Sequence, residues 1–260
     1  KRLGTQMLGR TTRQLNPTEA GCEYYNYCTH MLEELAEVEA SVSRYQSETS
    51  GTLSFSIPVT FGELFILPAL WEFHKKYPDM NVDLTISERK VDLVREGIDL
   101  DIQIGALADS TMVARRIGRA ERVFIASPEY LLKNGEPETP SQLDQFNCVT
   151  LSSMPASEEW QYTGPAGVEK VKVSGNLAVN TPAALREAVL AGVGLAVAPV
   201  WLVHEQVQQG KLQVILKDFK PVTLDINAVY RKRLYVQQKV VLMVDHLRES
   251  FKRTLMMVKI

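Results

Sequence analysis

Polar or flexible residues follow three of the strands that the sequence predicts and precede one of its helices. Thr60 comes after the first strand, Arg89 after the second, Gly105 after the third, and Asn180-Thr181 opens a later helix. Strand ends and helix N-termini of an α/β fold border a crevice, where free backbone N–H groups and the helix dipole favour anionic or carbonyl ligands. The spacing therefore predicts a ligand site. Ordinary helix caps and turns are the alternative explanation.

Two apolar residues fall beside these polar positions. Phe61 follows Thr60 directly, and Pro199 ends a predicted buried strand. A mostly apolar crevice with a few polar groups is typical of sites for small organic molecules. We expect Phe61 and Pro199 to form apolar walls, with Thr60 and nearby N–H groups holding a carboxylate or carbonyl of the ligand.

Catalytic and cofactor motifs are absent from the sequence. It contains no GxSxG, HExxH, P-loop or GxGxxG pattern. The four histidines are scattered, and none has metal-ligand spacing to another. We therefore predict that the protein is not an enzyme and that it binds neither a metal nor another cofactor.

The three cysteines, Cys22, Cys28 and Cys148, are an odd and sparse set without a CxxC pair. This pattern argues against a disulfide framework. We expect reduced, mostly packed thiols, and a redox-sensing role for Cys148 remains the alternative.

Alternating strands and helices follow residue 50. An alternation of this kind is typical of βαβ units with a parallel sheet. We predict an α/β body over residues 51–255, with lobe I at about 51–121 and 224–255 and lobe II at about 122–223. The predicted strands are 53–58, 82–86, 100–104, 122–126, 148–151, 170–175, 194–198 and 224–229, and the predicted helices are 60–77, 91–96, 128–133, 182–191, 199–208 and 236–252.

The first fifty residues predict a separate helical element. Asn16-Pro17-Thr18-Glu19 has the composition of a helix start, with Asn16 as N-cap and Pro17 in the first turn. An a/d pattern then predicts a helix of about 30 residues over 17–50 that pairs with a second copy of itself. Packing of this helix on its own body is the alternative. The apolar positions of the pattern are Tyr25, Cys28, Leu32, Leu35 and Val42, with Glu39 as a polar interruption.

Charge is unevenly distributed along the chain. The first 18 residues carry four basic side chains and no acidic one, whereas the whole chain has 29 basic and 31 acidic side chains. A basic end on an acidic body suggests an anionic partner such as nucleic acid at that end. The longest apolar run, residues 195–203, is too short to span a membrane. The chain has no signal peptide at its start, so we expect a cytoplasmic protein.

Residues 3–21, LGTQMLGRTTRQLNPTEAG, resemble the end of the winged helix-turn-helix of LysR-type transcriptional regulators. The resemblance implies that residues 1–16 end a DNA-binding domain and that its base-reading helix lies upstream. It also implies a wing that contacts DNA phosphates or the minor groove, formed by Arg10, Thr11, Thr12 and Arg13. We expect no sequence-specific DNA binding by this chain alone.

The resemblance extends over the body of the chain, since matching segments occur in the family's order. They include Pro58–Gly62, 91–102, 126–131 and 191–194. It implies a two-lobe, periplasmic-binding-protein-like effector domain whose effector-contacting loops include Thr60, Asn180 and Thr181. It further implies a small-molecule effector, DNA and the chain itself as partners, in a dimer through the linker helix and a tetramer. The alternatives are a two-lobe solute-binding receptor without a DNA role and a pure interaction module.

Overall fold

The computed structural model describes residues 5–10, 15–42, 51–107, 112–154, 158–164, 167–232 and 236–255. The contacts within the chain divide it into two units, Lys1–Thr49 and Ser50–Ile260.

In the first unit a two-stranded hairpin precedes a long helix. Strands β1 (Leu8–Arg10) and β2 (Leu15–Pro17) pair antiparallel, and helix α1 spans Glu19–Val42. The N-cap of α1 is Thr18, whose Oγ1 accepts a hydrogen bond from the backbone N–H of Gly21 at 3.0 Å. The prediction that Asn16 caps the helix is therefore wrong.

The hairpin explains this difference. Asn16 lies opposite Gly9 in the register of the two strands, so its backbone is extended and two residues away from the cap position. Pro17 is the last residue of β2 and does not lie in the first turn of α1.

Helix α1 carries an exposed apolar surface. Tyr25, Leu32 and Leu35 of the predicted pairing stripe are 69%, 67% and 54% exposed, and Cys28 is partly buried. The side chains of Glu39 and Val42, and all of residues 43–50, lie outside the described part of the chain.

Lobe I is built on a five-stranded mixed sheet of order β4-β3-β5-β15-β6. The three parallel strands agree with the expected βαβ units, but β15 runs antiparallel to both of its neighbours, β5 and β6. The sheet is therefore mixed, and the prediction of a parallel sheet is wrong for β15. Strand β15 returns to this sheet from lobe II and lies between β5 and β6. The strands are β3 (Gly51–Ile57), β4 (Met80–Ile86), β5 (Leu100–Ile104), β6 (Met112–Ala120) and β15 (Leu224–Arg231).

Helical segments cover this sheet close to the predicted positions. Between β3 and β4 the chain forms α2 (Val59–Phe61), a π-helical turn (Gly62–Ile66) and α3 (Leu67–Lys76), while α7 (Gln238–Leu255) follows β15. The predicted helix at residues 91–96 is wrong, because the chain there forms turns.

Asp92 accounts for those turns. Its Oδ1 accepts hydrogen bonds from the backbone N–H groups of Val94 and Arg95, at 3.0 and 3.1 Å. A short side chain that binds nearby backbone donors in this way competes with helix formation.

The described residues of lobe II form three small sheets, of order β12-β7-β13, β11-β8 and β10-β9-β14. The expected strand at 148–151 is reduced to two residues and a bridge from Cys148 to Leu195, and the one expected at 170–175 lies three residues earlier. The strands are β7 (Arg122–Ala126), β8 (Thr150–Leu151), β9 (Glu159–Gly164), β10 (Gly167–Lys172), β11 (Ala178–Val179), β12 (Ala196–Pro199), β13 (Gln213–Ile215) and β14 (Lys220–Pro221). The helices are α4 (Pro128–Asn134), a 3-10 helix (Pro140–Gln145), α5 (Pro182–Leu190) and α6 (Val200–Gln208).

One apolar core joins the two lobes. It includes Phe55 and Phe251 from lobe I and Ile125, Leu185 and Val203 from lobe II, all at most 2% exposed. Burial of this continuous apolar surface stabilises the contact between the lobes.

Candidate functional site

A cleft of about 460 Å³ lies between the two lobes, and we call it the interlobe cleft. Phe61 and Asp101 line it from lobe I, and Leu151, Pro182 and Pro199 line it from lobe II. Strands β3 and β5 both end towards it, which is the edge where α/β proteins bind ligands. Its volume suits a small organic molecule.

Thr60 lies behind the lobe I wall of the interlobe cleft. Its side chain is 6% exposed, and Oγ1 is buried without a hydrogen-bond partner. Its backbone N–H points to the Glu88 carboxylate, with the nitrogen 3.5 Å from Oε1. The N–H group predicted to hold a ligand carboxylate thus faces a carboxylate of the chain itself.

Phe61 and Pro199 both line the interlobe cleft. Phe61 is 1% exposed, and its ring centroid lies 5.0 Å from that of Phe65 and 5.3 Å from that of Trp201. Tight aromatic packing of this kind holds the wall in one conformation.

Arg89 also lines the cleft, but its charge is already paired. Its two terminal nitrogens donate to the carboxylate of Glu96, and this pairing lowers the pKa of Glu96 to about 2. Asp92 supports the pair, since its backbone N–H donates to Glu96 Oε1 at 2.9 Å. The arrangement fixes the turn after β4 and neutralises the arginine.

Gly105 makes the turn after β5 with φ +96°. A side chain there would be strained and would also meet Met154, because a Cβ would lie 3.3 Å from its Cε. Gly105 itself is not among the described lining residues, whereas the next two residues, Ala106 and Leu107, line the cleft.

Asn180 and Thr181 do not line the interlobe cleft among the described residues, although they immediately precede a residue that does. Thr181 is the N-cap of α5, where its Oγ1 accepts from the Ala184 N–H at 3.2 Å. Pro182, the next residue, does line the cleft. The Asn180 side chain is exposed. Their predicted contact with an effector stays a prediction.

Two carboxylates in the cleft were missed by the sequence reasoning. Asp101 is 5% exposed and accepts a hydrogen bond from Gln103 Nε2 at 2.8 Å, and Glu88 lines the same cleft. Burial raises the pKa of both carboxyl groups. The signal in the sequence was Leu-Asp-Ile-Gln-Ile, where Asp101 and Gln103 alternate with apolar residues and so share one face of β5.

Trp201 was missed as well. Its ring is 9% exposed and lines the cleft, and its Nε1 is buried without a hydrogen-bond partner. A buried indole N–H without an acceptor is unusual, because such groups are normally hydrogen-bonded.

A second, larger cleft of about 880 Å³ borders the same junction, and most of its charged lining residues are basic. Arg119, Arg122, Lys217 and Lys220 line it. Burial lowers the pKa of Arg122 to about 10, and its Nε donates to a backbone carbonyl at 2.6 Å. This larger cleft contains none of the polar residues predicted to bind a ligand.

The other predictions concern Cys148, the wing residues, metal ligands and membrane-spanning segments. Cys148 is fully buried and burial raises its pKa to about 12, which suppresses the thiolate needed for redox chemistry. Thr11, Thr12 and Arg13, and the side chain of Arg10, lie outside the described residues. Within the described ranges, no three His, Cys, Asp or Glu residues cluster as metal ligands, and no helix is long and apolar enough to cross a membrane.

Comparison with known proteins identifies the family. The model of the LysR substrate binding domain matches residues 46–252. An uncharacterised HTH-type transcriptional regulator of Haemophilus influenzae is 35% identical, over 92% of this chain and 83% of that protein. The HTH-type transcriptional regulator DmlR of Escherichia coli is 31% identical, over 96% of this chain and 81% of that protein.

Solved structures agree with this result. The full-length virulence activator AphB of Vibrio cholerae, a member of the LTTR family, has a TM-score of 0.67 and 28% identity, covering 95% of this chain and 84% of that one. The LysR-type regulator CrgA of Neisseria meningitidis has a TM-score of 0.63 and 27% identity, covering 96% of this chain and 83% of that one.

These similarities confirm the two-lobe fold, and they contradict the alternative of a receptor without a DNA role, because the relatives are transcriptional regulators. The chain belongs to the LysR family of transcriptional regulators and contains that family's effector-binding domain.

Proposed function

We propose that this regulator senses a small organic effector in the interlobe cleft. The observation that carries the proposal is that both lobes supply walls of one cleft, with Phe61 and Asp101 facing Pro182 and Pro199. A ligand held by both lobes favours the lobe arrangement that fits it best, and it shifts the equilibrium by its difference in affinity for the two arrangements. The proposal assigns no catalytic step to the protein.

The output of the sensor is DNA binding in the bacterial cytoplasm. Arg10, Thr11, Thr12 and Arg13 follow the family's wing pattern, and arginine and hydroxyl groups on a turn suit phosphate contacts. In the chain with its upstream helix, Arg10→Ala and Arg13→Ala should each weaken binding to all DNA sequences alike and reduce the salt slope by about one.

The assembly is a dimer through α1 and a tetramer through the effector domains. Tyr25, Leu32 and Leu35 support the dimer, since a row of exposed apolar side chains at a/d spacing matches a coiled-coil seam. Leu64 and Trp71, which are 48% and 57% exposed, support a further contact surface on the effector domain.

A cleft-filling variant tests the site. Ser153 is exposed and lines the interlobe cleft, whereas its neighbour Ser152 is exposed and is not among the described lining residues. A thermal-shift screen of metabolites on the parent chain should give hits that Ser153→Trp abolishes and Ser152→Trp retains. Hits that survive in Ser153→Trp would place the effector elsewhere.

The predicted polar contacts have their own test. Thr60→Val removes the buried hydroxyl and Asn180→Ala removes the exposed amide. At least one of these variants should bind the metabolites found with the parent less tightly. Unchanged affinity in both would show that the contacts predicted from the sequence are wrong, although the cleft itself would stand.

A further inference from the structure

The positive backbone groups expected to attract a ligand anion already have an anionic partner. Glu88 accepts hydrogen bonds from the backbone N–H groups of Thr60 and Val59, at the start of the helix after β3. A ligand carboxylate brought to this position would meet the charge of Glu88 and find its donors occupied.

Asp101 places a second carboxylate deeper in the same cleft. Its hydrogen-bond donors are neutral, namely the Gln103 amide, the Ser56 hydroxyl and the backbone N–H of Ile102. Among the described residues no lysine or arginine forms an ion pair with Asp101 or Glu88. Asp101 is buried and Glu88 is partly buried. A carboxylate that is removed from water without a cationic partner is costly, so a cation that reaches these groups gains an interaction, above all with Asp101.

The basic side chains at the cleft do not cancel these charges. Arg89 is neutralised by Glu96, and the Lys90 side chain, which acts on Asp101 only by its more distant charge, is exposed to solvent. Exposed charges are screened by water and salt, whereas the carboxylates lie on the inner surface. Asp101 and Glu88 are therefore the carboxylates of the cleft lining with which the charge of a ligand cation can pair.

The apolar lining suits the body of an organic cation. Phe61 and Trp201 line the cleft with their rings 5.3 Å apart, and aromatic faces attract ammonium groups. The unpartnered Nε1 of Trp201 is a hydrogen-bond donor, but it is buried from solvent, so a ligand oxygen reaches it only if the ring turns.

We propose that the effector is a small organic cation, with an amine or a related group on an apolar or aromatic skeleton. This proposal rests on the proposed effector site. The ammonium group of the cation binds Asp101 and Glu88, and its body lies against Phe61 and Trp201. Carboxylates of the same skeleton are rejected by the charges of Asp101 and Glu88.

Matched ligands test this class directly. The probes are three sets that share a skeleton and differ in charge: benzylamine, benzyl alcohol and benzoate; tyramine, tyrosol and 4-hydroxyphenylacetate; hexylamine, hexanol and hexanoate. Calorimetric titration of the 260-residue chain should show saturable binding of at least one amine, and weaker or no binding of its alcohol and its acid.

Asp101→Asn should weaken the amine that binds by about 30-fold or more, as expected for the loss of a desolvated charge partner. Glu88→Gln should also weaken binding of the amine. This variant provides a second test if Asp101→Asn folds poorly. The control is Asp83→Asn, which changes an exposed carboxylate on strand β4 of the same sheet and should leave the affinity unchanged.

The outcomes separate the two proposals. If an acid binds as tightly as its amine and Ser153→Trp abolishes that binding, the cationic class is wrong and the effector site stands. If no member of the three sets binds at about 10 mM, far above the range of useful effectors, the cationic class is again wrong. The effector site then depends on the metabolite screen alone.

Discussion

The Glu88 carboxylate lies 3.5 Å from the backbone nitrogen of Thr60, at the point where the first helix of the effector domain begins beside the interlobe cleft. The Glu88 carboxylate thus occupies the position at the helix N-terminus where an anion from solution would otherwise bind. The proposed preference for a ligand cation follows from this contact together with Asp101.

Removing Glu88 should change which ligands bind. In Glu88→Ala the N–H groups of Val59 and Thr60 become free and a like charge is lost, so 4-hydroxyphenylacetate should bind at least about 10-fold more tightly than to the parent. Calorimetric titration measures this. Glu63→Ala, which removes an exposed carboxylate in the same helical segment, is the matched control and should have no effect. Equal affinity in the parent and in Glu88→Ala would contradict the role given to Glu88.

Asp101 should make the stability of the protein depend on pH. Burial raises its pKa above the usual 3.8, so the folded state keeps the proton to higher pH than the unfolded state does. The stability that protonated Asp101 contributes is fully present below the pKa that Asp101 has in the unfolded protein. It is lost as the pH rises through the pKa that Asp101 has in the folded protein. Hydrogen bonds from Gln103, Ser56 and the backbone N–H of Ile102, together with the charge of Lys90, oppose this rise in the pKa.

Asp101→Asn cannot ionise, so it avoids the loss of stability that ionisation of Asp101 causes. The asparagine keeps an oxygen that can accept the hydrogen bond from Gln103. Its melting temperature should exceed that of the parent at pH 7, by about 2–4 °C for each kcal/mol recovered, and the difference should shrink towards pH 4. Thermal unfolding followed by circular dichroism measures both values, with Asp83→Asn as the control. A variant that is less stable than the parent at pH 7 would show that the carboxylate charge is not costly in the fold.

The Arg89–Glu96 pair should titrate far below the usual range. The pKa of Glu96 is lowered to about 2, chiefly by the hydrogen bonds from Arg89, so its contribution to stability is present above pH 4.5 and is lost as pH falls towards 2. Arg89→Gln should return the pKa towards 4.5, which carbon-detected NMR of the Glu96 carboxyl can follow. An unchanged pKa would mean that the backbone N–H of Asp92 is sufficient by itself.

The exposed stripe of α1 should hold two chains together. Leu32→Glu places a charge in the middle of the expected seam, and burying it there would cost more than the pairing gains. Sedimentation velocity should show loss of the dimer in Leu32→Glu. Asn26→Glu alters an exposed polar position on the same helix and should keep it. An unchanged mass in Leu32→Glu would exclude α1 as the dimer contact.

The elements that sequence reasoning located well are those whose local pattern agrees with their final environment. Strand β5 matches the predicted residues 100–104, because a mostly apolar run stops at Gly105, where φ is +96°. Strand β6 was missed, since Arg115, Arg116 and Arg119 interrupt its apolar residues and their ion pairs with Asp245 and Asp225 form only in the folded chain.

The site was predicted in part for a similar reason. Phe61, Arg89 and Pro199 were placed at the cleft because they follow or end strands, and that position depends only on the order of the elements. The partners of the site residues could not be predicted in this way. The contacts of Glu88 with Thr60 and of Arg89 with Glu96 depend on how the turn after β4 folds, and that turn was predicted to be a helix.

The central claim is that a ligand in the interlobe cleft controls DNA binding, and one measurement tests it directly. The regulator, expressed from the start of its gene, is titrated onto its own upstream DNA by fluorescence anisotropy, with and without the ligand identified in the screen. We predict a change in DNA affinity of at least about fivefold in the parent and in Ser152→Trp, and none in Ser153→Trp. An equal change in Ser153→Trp, or no change in the parent, would contradict the claim.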